Sequence, residues 1–207
     1  MYSPVLIGPA GVGKTAAGHE LSRLLEIPFV DCDEEFVEAH GSIDDFINER
    51  GWKAFRETES DLLTRLCEYH SASWAVLMPG AGAVANARNE DTVNRNVKLL
   101  LGFGVVFYLI PSDDLRLSAT HIVSSLGRKK HFLTGSTASL PGPGQTPEFS
   151  RVYSLLNFRH PLYMRVADHV VHTANKPPLQ VAAEIRLILL DGYQNHGPVI
   201  ASQKSQW

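Results

Sequence analysis

Residues 5–25 read VLIGPAGVGKTAAGHELSRLL. Within them Gly8 to Thr15 follow the pattern Gly-x-x-x-x-Gly-Lys-Thr. An apolar run precedes the pattern. Leu21, Leu24 and Leu25 follow it at helical spacing. A glycine loop between a strand and a helix is the context in which this motif cradles phosphates. Gly8, Gly11 and Gly13 let the backbone curl so that its N–H groups converge on an anion. Val12 and Ala16 supply backbone to the same cradle. Lys14 adds charge near the β- and γ-phosphates, and the Thr15 hydroxyl can ligate Mg²⁺. The helix that follows turns its positive end toward the same anion. Nucleotide binding is therefore expected of Gly8, Gly11, Val12, Gly13, Lys14, Thr15 and Ala16.

Outward from this loop, strand-like and helix-like segments alternate. Strands are expected at 4–7, 28–30, 74–78, 105–110 and 169–172. Helices are expected at 14–25, 34–40, 42–51, 53–69, 93–101, 113–126, 149–165 and 178–190. Ser42 is an N-cap in this reading, and Pro161 marks a kink or a break. Alternation of this kind favours a parallel sheet with helices on both faces. One domain is expected over residues 1–191, with a loose polar tail from 192 to 207. The segment 134–148, TGSTASLPGPGQTPE, is read as a mobile loop placed where an active-site lid would sit.

Composition narrows the function classes. The chain has 207 residues, a formal charge of −3 and 44% apolar residues. That balance gives no electrostatic reason to expect nucleic acid or an anionic membrane as partner. No apolar run is long enough to span a bilayer. The early phosphate loop leaves no room for a signal peptide, and a cytoplasmic protein is expected. Cys32 and Cys67 cannot build a disulfide framework, which fits a reducing compartment. His169 and His172 lie three apart on a strand and point to opposite faces, so no metal site is expected there.

The strand ending at Met78 runs into Pro79-Gly80-Ala81-Gly82 with no acid at its tip, unlike an ATPase or a motor. The acids stand instead at Asp31 and Asp33, after the second strand, where open α/β sheets bind ligands. No Asn-Lys-x-Asp guanine-reading motif occurs. A kinase for a small molecule fits best. Each acid could also simply cap the next helix. Arg56 could pair with Glu57 or Glu59 on the surface, Arg159 could be a solvated helix charge, and Gly80 and Gly82 could be an ordinary turn.

The segments LIGPAGVGKT, FVDCDEEFVEAHGSIDDFINERGWKAFRETE, PGAGAV and RHPLYMRVAD occur in this order over nearly the whole chain. Together they resemble the shikimate kinase family. The resemblance implies a three-layer α/β/α P-loop kinase fold with a five-stranded parallel sheet, a substrate-binding helical segment and a lid at about 127–150. It implies ATP- and Mg²⁺-dependent phosphorylation of the shikimate 3-hydroxyl and a small anionic substrate; a monomer is expected rather than an oligomer. By the same resemblance Asp31 supports Mg²⁺ through water, alongside Thr15. Asp33 binds a substrate hydroxyl and accepts its proton. Arg56 and Arg159 take the carboxylate. Gly80, Ala81 and Gly82 bring backbone N–H groups to the substrate, and adenine lies near Asn175 to Pro178.

The chain departs from the family pattern in two places. Ala81 replaces a glycine, a change that is tolerated if the backbone stays in the ordinary region. In the lid, Lys130 or Arg128 stands where a phosphate-reaching arginine is expected, and a lysine acts there only as a point charge. These departures leave two alternatives open. One is a kinase for another hydroxylated acid, gluconate- or cyclitol-like. The other is a regulator that binds nucleotide without turnover.

Overall fold

The computed structural model describes residues 2–86, 89–126 and 146–196. Five strands, β1 (Ser3–Ile7), β2 (Phe29–Asp31), β3 (Val76–Met78), β4 (Gly104–Ile110) and β5 (His169–His172), form one sheet in the order β2-β3-β1-β4-β5. Every pairing is parallel. Val5 is paired with Leu77 on one side and with Val106 on the other. β1 is buried at all five of its residues, as a central strand covered on both faces must be. The main core gathers Val5, Leu6, Ile7, Leu77, Phe107 and Leu109 with the inward faces of the helices.

The helices are α1 (Lys14–Leu25), α2 (Cys32–His40), α3 (Ile43–Tyr69), α4 (Glu90–Phe103), α5 (Leu115–Leu126), α6 (Pro147–Val166) and α7 (Pro178–His196). α1 packs on α7, α3 on α4 and α5 on α6. The expected helices at 42–51 and 53–69 are both present within α3 and meet at Gly51, whose φ of 80° and ψ of 166° are not helical. Ser42 caps it as expected, accepting from the Asp45 N–H.

Three boundaries differ from expectation. α6 begins at Pro147, inside the segment read as loop, because Thr146 accepts from the Phe149 N–H and proline suits the first helical position. Pro161 does not end α6. It is exposed, so the Asn157 carbonyl it leaves unbonded can face water. α7 continues to His196, past Leu190, since helices tolerate a glycine such as Gly192 at modest cost.

A second, smaller core joins α2 to α3. Phe36 meets Phe46 and Phe55 edge to face, at 5.2 and 5.0 Å between centroids, and Leu62 closes the cluster. This satellite fixes the first turn of α2 against the middle of α3, and so fixes Asp33 relative to Arg56.

Because the strands are parallel, their carboxyl ends share one side of the sheet. The loops that leave β1, β2, β3 and β5 there are those carrying Gly8–Thr15, Asp31 to Asp33, Pro79–Ala85 and Asn175–Pro178. Gly8 sits where β1 becomes the loop, with φ of 140°. A Cβ there would lie 2.4 Å from the Leu109 carbonyl oxygen, a backbone atom that cannot swing aside. Gly8→Ala is expected to lose about 2–4 kcal/mol through strain and overpacking, seen as a lower denaturation midpoint with an unchanged m-value.

Candidate active site

The loop after β1 has the geometry of an anion cradle. Gly11 and Gly13 hold φ of 83° and 89°, and Gly13 is the N-cap of α1 without any side-chain cap. Among the described residues no side chain caps the N–H groups at the head of α1. The Lys14 ammonium folds back over the loop and donates to the Gly8 and Pro9 carbonyls, each at 2.9 Å. Burial lowers its pKa to about 8, and the charges of Asp33 and Asp31 partly oppose that shift. Val12 is buried under the loop, while Thr15 and Ala16 are exposed. Among the described residues the Thr15 hydroxyl has one hydrogen-bond partner, the Met78 sulfur at 3.7 Å, and this weak contact leaves it available as a hard oxygen ligand.

Asp31 ends β2 and caps α2, one of its oxygens accepting from the Asp33 N–H at 3.0 Å. Capping and a role at the cleft are thus compatible, since the carboxylate has acceptor positions to spare. Burial, then the charge of Asp33, raises its pKa to about 6. Asp33 is also raised to about 6, by burial and then by Glu59, against the pull of Lys14 and Arg56. Two carboxylates are therefore held close together beside one lysine and one arginine. Negative charge of this kind, next to an exposed hydroxyl, suits a hydrated divalent cation. The residues present fit Mg²⁺ and a triphosphate.

Arg56 is not a surface charge. It is buried on α3, and its Nη1 donates to Glu59 at 2.6 Å. Its guanidinium stands 4.9 Å from the Phe55 ring centroid and 5.4 Å from that of Trp52. The other Glu59 oxygen, Oε1, is buried with no partner among the described residues.

The loop after β3 lies against these groups. A Cβ at Gly80 would fall 2.5 Å from Glu59 Oε1 and 2.8 Å from Asp33 Oδ1. A Cβ at Gly82 would fall 2.3 Å from Arg56 Nη2. A side chain at either glycine would thus push on the ends of these buried groups, which an ordinary turn would not show. Ala81 has no positive φ, so its methyl group is accommodated as expected. Arg159 projects from α6 with its Nε buried and unpartnered among the described residues. It acts electrostatically on Lys14 and on Tyr163. Asn175, with φ of 60°, turns the chain between β5 and α7. Lys176 beside it is tied to Glu184 at 2.5 Å.

The fold thus gathers Gly8–Ala16, Asp31, Asp33, Arg56, Gly80–Gly82 and Arg159 around one cleft. Arg128 and Lys130 lie outside the described residues, as does most of the segment 134–148. Sequence reasoning missed three participants. Glu59 was visible only as a possible surface partner of Arg56, although it sits one turn along the same helix. Tyr163 follows Arg159 by four residues, a spacing that places both on one helix face. Asn96, whose amide donates to the Ala83 carbonyl, carries no local signal. Elsewhere His172 binds Asp113 at 2.9 Å and His169 stacks on Phe107, on opposite faces as expected. Cys32 and Cys67 are both free and buried. Among the described residues no helix is long and apolar enough to cross a membrane, and no cluster of three metal-ligating side chains occurs.

Comparison with known proteins places the chain in one family. A family model described as shikimate kinase matches residues 10–189. A shikimate kinase of Pseudomonas syringae pv. tomato is 32% identical over 187 residues, covering 89% of this chain and 94% of the relative. One of Streptococcus gordonii is 29% identical over 190 residues, covering 90% and 99%. The solved shikimate kinase from Acinetobacter baumannii in complex with shikimate is 26% identical, with a TM-score of 0.74 over 93% of this chain and 94% of that one. The enzyme from Aquifex aeolicus is 28% identical, with a TM-score of 0.66 over 94% and 99%. With nearly its full length matched, and the phosphate loop, acid pair and arginines converging on one cleft, the chain belongs to the shikimate kinase family.

Proposed function

We propose that this protein phosphorylates the 3-hydroxyl of shikimate with ATP and Mg²⁺, giving shikimate 3-phosphate and ADP. The observation that carries the reading is the placement of two guanidinium groups and a raised-pKa carboxylate beside the phosphate loop. An organic anion approaching a nucleotide needs compensating positive charge, and Arg56 and Arg159 supply it. A neutral acceptor would call for neither guanidinium, and Arg56 would then serve only its pair with Glu59.

Bound ATP supplies the phosphoryl group, and Mg²⁺ neutralises charge on it. The chain's own residues do the rest. Gly11, Gly13 and Ala16 offer backbone N–H groups to the phosphates. Lys14 leaves its loop carbonyls to meet them. Thr15, with Asp31 acting through water, holds the cation. Arg56 and Arg159 grip the carboxylate of the acceptor, with backbone N–H groups of Ala81 and Gly82 beside them. Asp33 accepts the hydroxyl proton, and a carboxylate with pKa of about 6 is a better base than an ordinary aspartate while still ionised at pH 7. The loop from Asn175 to Pro178 takes the adenine.

The test is ADP release measured with shikimate, quinate, gluconate or no acceptor. Turnover with shikimate alone supports the reading. Turnover with another acid, or binding without turnover, overturns it.

The nucleotide half of the site yields a separate prediction. Lys14 must be charged to meet phosphate, yet it loses its proton above about pH 8 in the free protein. Its pKa is depressed, so the charged form is fully present below that pH and disappears as pH rises. ATP binding is therefore expected to weaken above pH 8 and to take up a proton there, and to take up none from Lys14 at pH 6.5. Calorimetry at pH 8.5 in two buffers of different ionisation enthalpy measures the uptake. Lys14→Met should abolish it.

A further inference from the structure

The loop after β3 is held from behind by side chains. Three successive carbonyls are each taken by a donor from a different place. Ala81 O accepts from the Tyr163 hydroxyl at 2.5 Å, Gly82 O from Asn86 Nδ2 at 2.9 Å, and Ala83 O from Asn96 Nδ2 at 2.9 Å. Asn96 is itself fixed by Ser60, which donates to its Oδ1 at 2.5 Å, and Ser60 accepts from Arg95 Nε at 2.8 Å. In a trans peptide the carbonyl and the following N–H point in opposite directions. Tying Ala81 O to α6 therefore turns the Gly82 N–H away from α6. The N–H groups of Ala81 and Gly82 have no protein acceptor among the described residues.

Tyr163 has a second neighbour. Arg159 lies four residues earlier on α6, a spacing that puts it on the same helix face as Tyr163, and its charge acts on the phenol. Tyr163 is completely buried, and its ring is 5.0 Å from that of Tyr108. The hydroxyl thus stands where α6 and the loop after β3 meet, bonded to the carbonyl of the loop and on the helix face that carries the arginine.

We infer that Tyr163 is a positioning residue that sets the register between Arg159 and the Ala81–Gly82 N–H groups, so that both address one carboxylate of the acceptor. The inference rests on the proposed function, because it needs an anionic acceptor in this cleft. A clamp made of a guanidinium and a peptide N–H works only if the two donors are spaced to one carboxylate. Neither α6 nor the loop fixes that spacing alone, and the phenol joins them.

The comparison of Tyr163→Phe with Tyr108→Phe tests it. Each removes one buried hydroxyl from neighbouring rings. Tyr108 bonds to His160 Nδ1 at 3.1 Å, and its hydroxyl makes no hydrogen bond to the loop after β3 among the described residues. Tyr163→Phe is expected to raise the KM for shikimate about tenfold, the cost of one buried hydrogen bond. The KM for ATP should stay within twofold and kcat within threefold. Tyr108→Phe should lower the thermal midpoint to a similar degree while leaving the shikimate KM unchanged. Equal effects of the two variants on the shikimate KM, or a Tyr163→Phe enzyme with reduced Tm and unaltered KM, overturn the inference. In either of those cases a wild type that turns over shikimate leaves the proposed function standing. A wild type without turnover on shikimate takes both down.

Discussion

Replacing Asp33 with asparagine is expected to lower kcat by about 10²–10⁴, the usual worth of a general base, and at the same time to raise the thermal midpoint of the ligand-free protein. The first effect follows if Asp33 is the only group placed to accept the acceptor's proton. Asparagine keeps the shape and can still hydrogen-bond a hydroxyl, so shikimate should bind with little change. The second effect follows from the electrostatics around Asp33. Burial and Glu59 raise its carboxyl to about 6, well above an ordinary aspartate, so its ionised form is disfavoured in the folded protein. At pH 7 that charge works against folding, and asparagine removes it. The sign is checked by pH. Between about pH 4 and 6 the folded state holds protons that the unfolded chain has released. Stability of the chelator-treated wild type should therefore fall as pH rises through that window, and Asp33→Asn should flatten the fall. An asparagine variant that is both slow and less stable would mean that the carboxylate is a structural member of the α2 terminus. Activity gained at the cost of stability is a common bargain at catalytic sites.

Much of this site was legible in the sequence because its chemistry is local. The phosphate loop needs glycines, a lysine and a threonine at fixed spacing, and a strand and a helix on either side. All of these lie within residues 5–25. The acids at Asp31 and Asp33 were readable for the same reason, since they follow a short apolar strand directly. The alternation of elements predicted a parallel sheet, and the five strands were found within two residues of their expected bounds.

What the sequence did not disclose depends on pairings across the fold. Arg56 reads equally well as a surface helix charge or a buried fork until the satellite core of Phe36, Phe46 and Phe55 is seen to fold α2 over it. Gly80 and Gly82 read as turn residues until the ends of Glu59, Asp33 and Arg56 are found where a Cβ would have to stand. Tyr163 and Asn96 act on carbonyls 82 and 13 residues distant, and no local periodicity reports that. The misplaced start of α6 is a different kind of miss. Thr146 followed by Pro147 and Glu148 is a helix-start signal in its own right, and the glycine- and proline-rich text before it concealed it.

Arg56→Ala is expected to do two separable kinds of damage, each large. The pair it forms with Glu59 is almost wholly shielded from water, its side chains 9% and 6% exposed. Removing one partner from a pair so buried costs about 3–5 kcal/mol, chiefly because the remaining charge is stranded. Glu59 already has one oxygen without a partner among the described residues, so it has no alternative donor to turn to. Against a typical domain stability of about 5–15 kcal/mol, this variant sits close to unfolding. Its loss of activity would then be uninformative taken alone. Adding Glu59→Gln removes the stranded charge and should restore most of the thermal midpoint. It cannot restore a guanidinium fork for the substrate. The double variant is therefore expected to fold nearly as well as the wild type while its KM for shikimate stays raised by about 10²-fold or more, the cost of deleting a desolvated charge pair. Its KM for ATP should remain within a few-fold. Thermal unfolding and steady-state kinetics on the single and double variants check both halves. Recovery of the shikimate KM together with the midpoint would show that Arg56 serves the fold alone, and that the carboxylate is gripped elsewhere in the cleft.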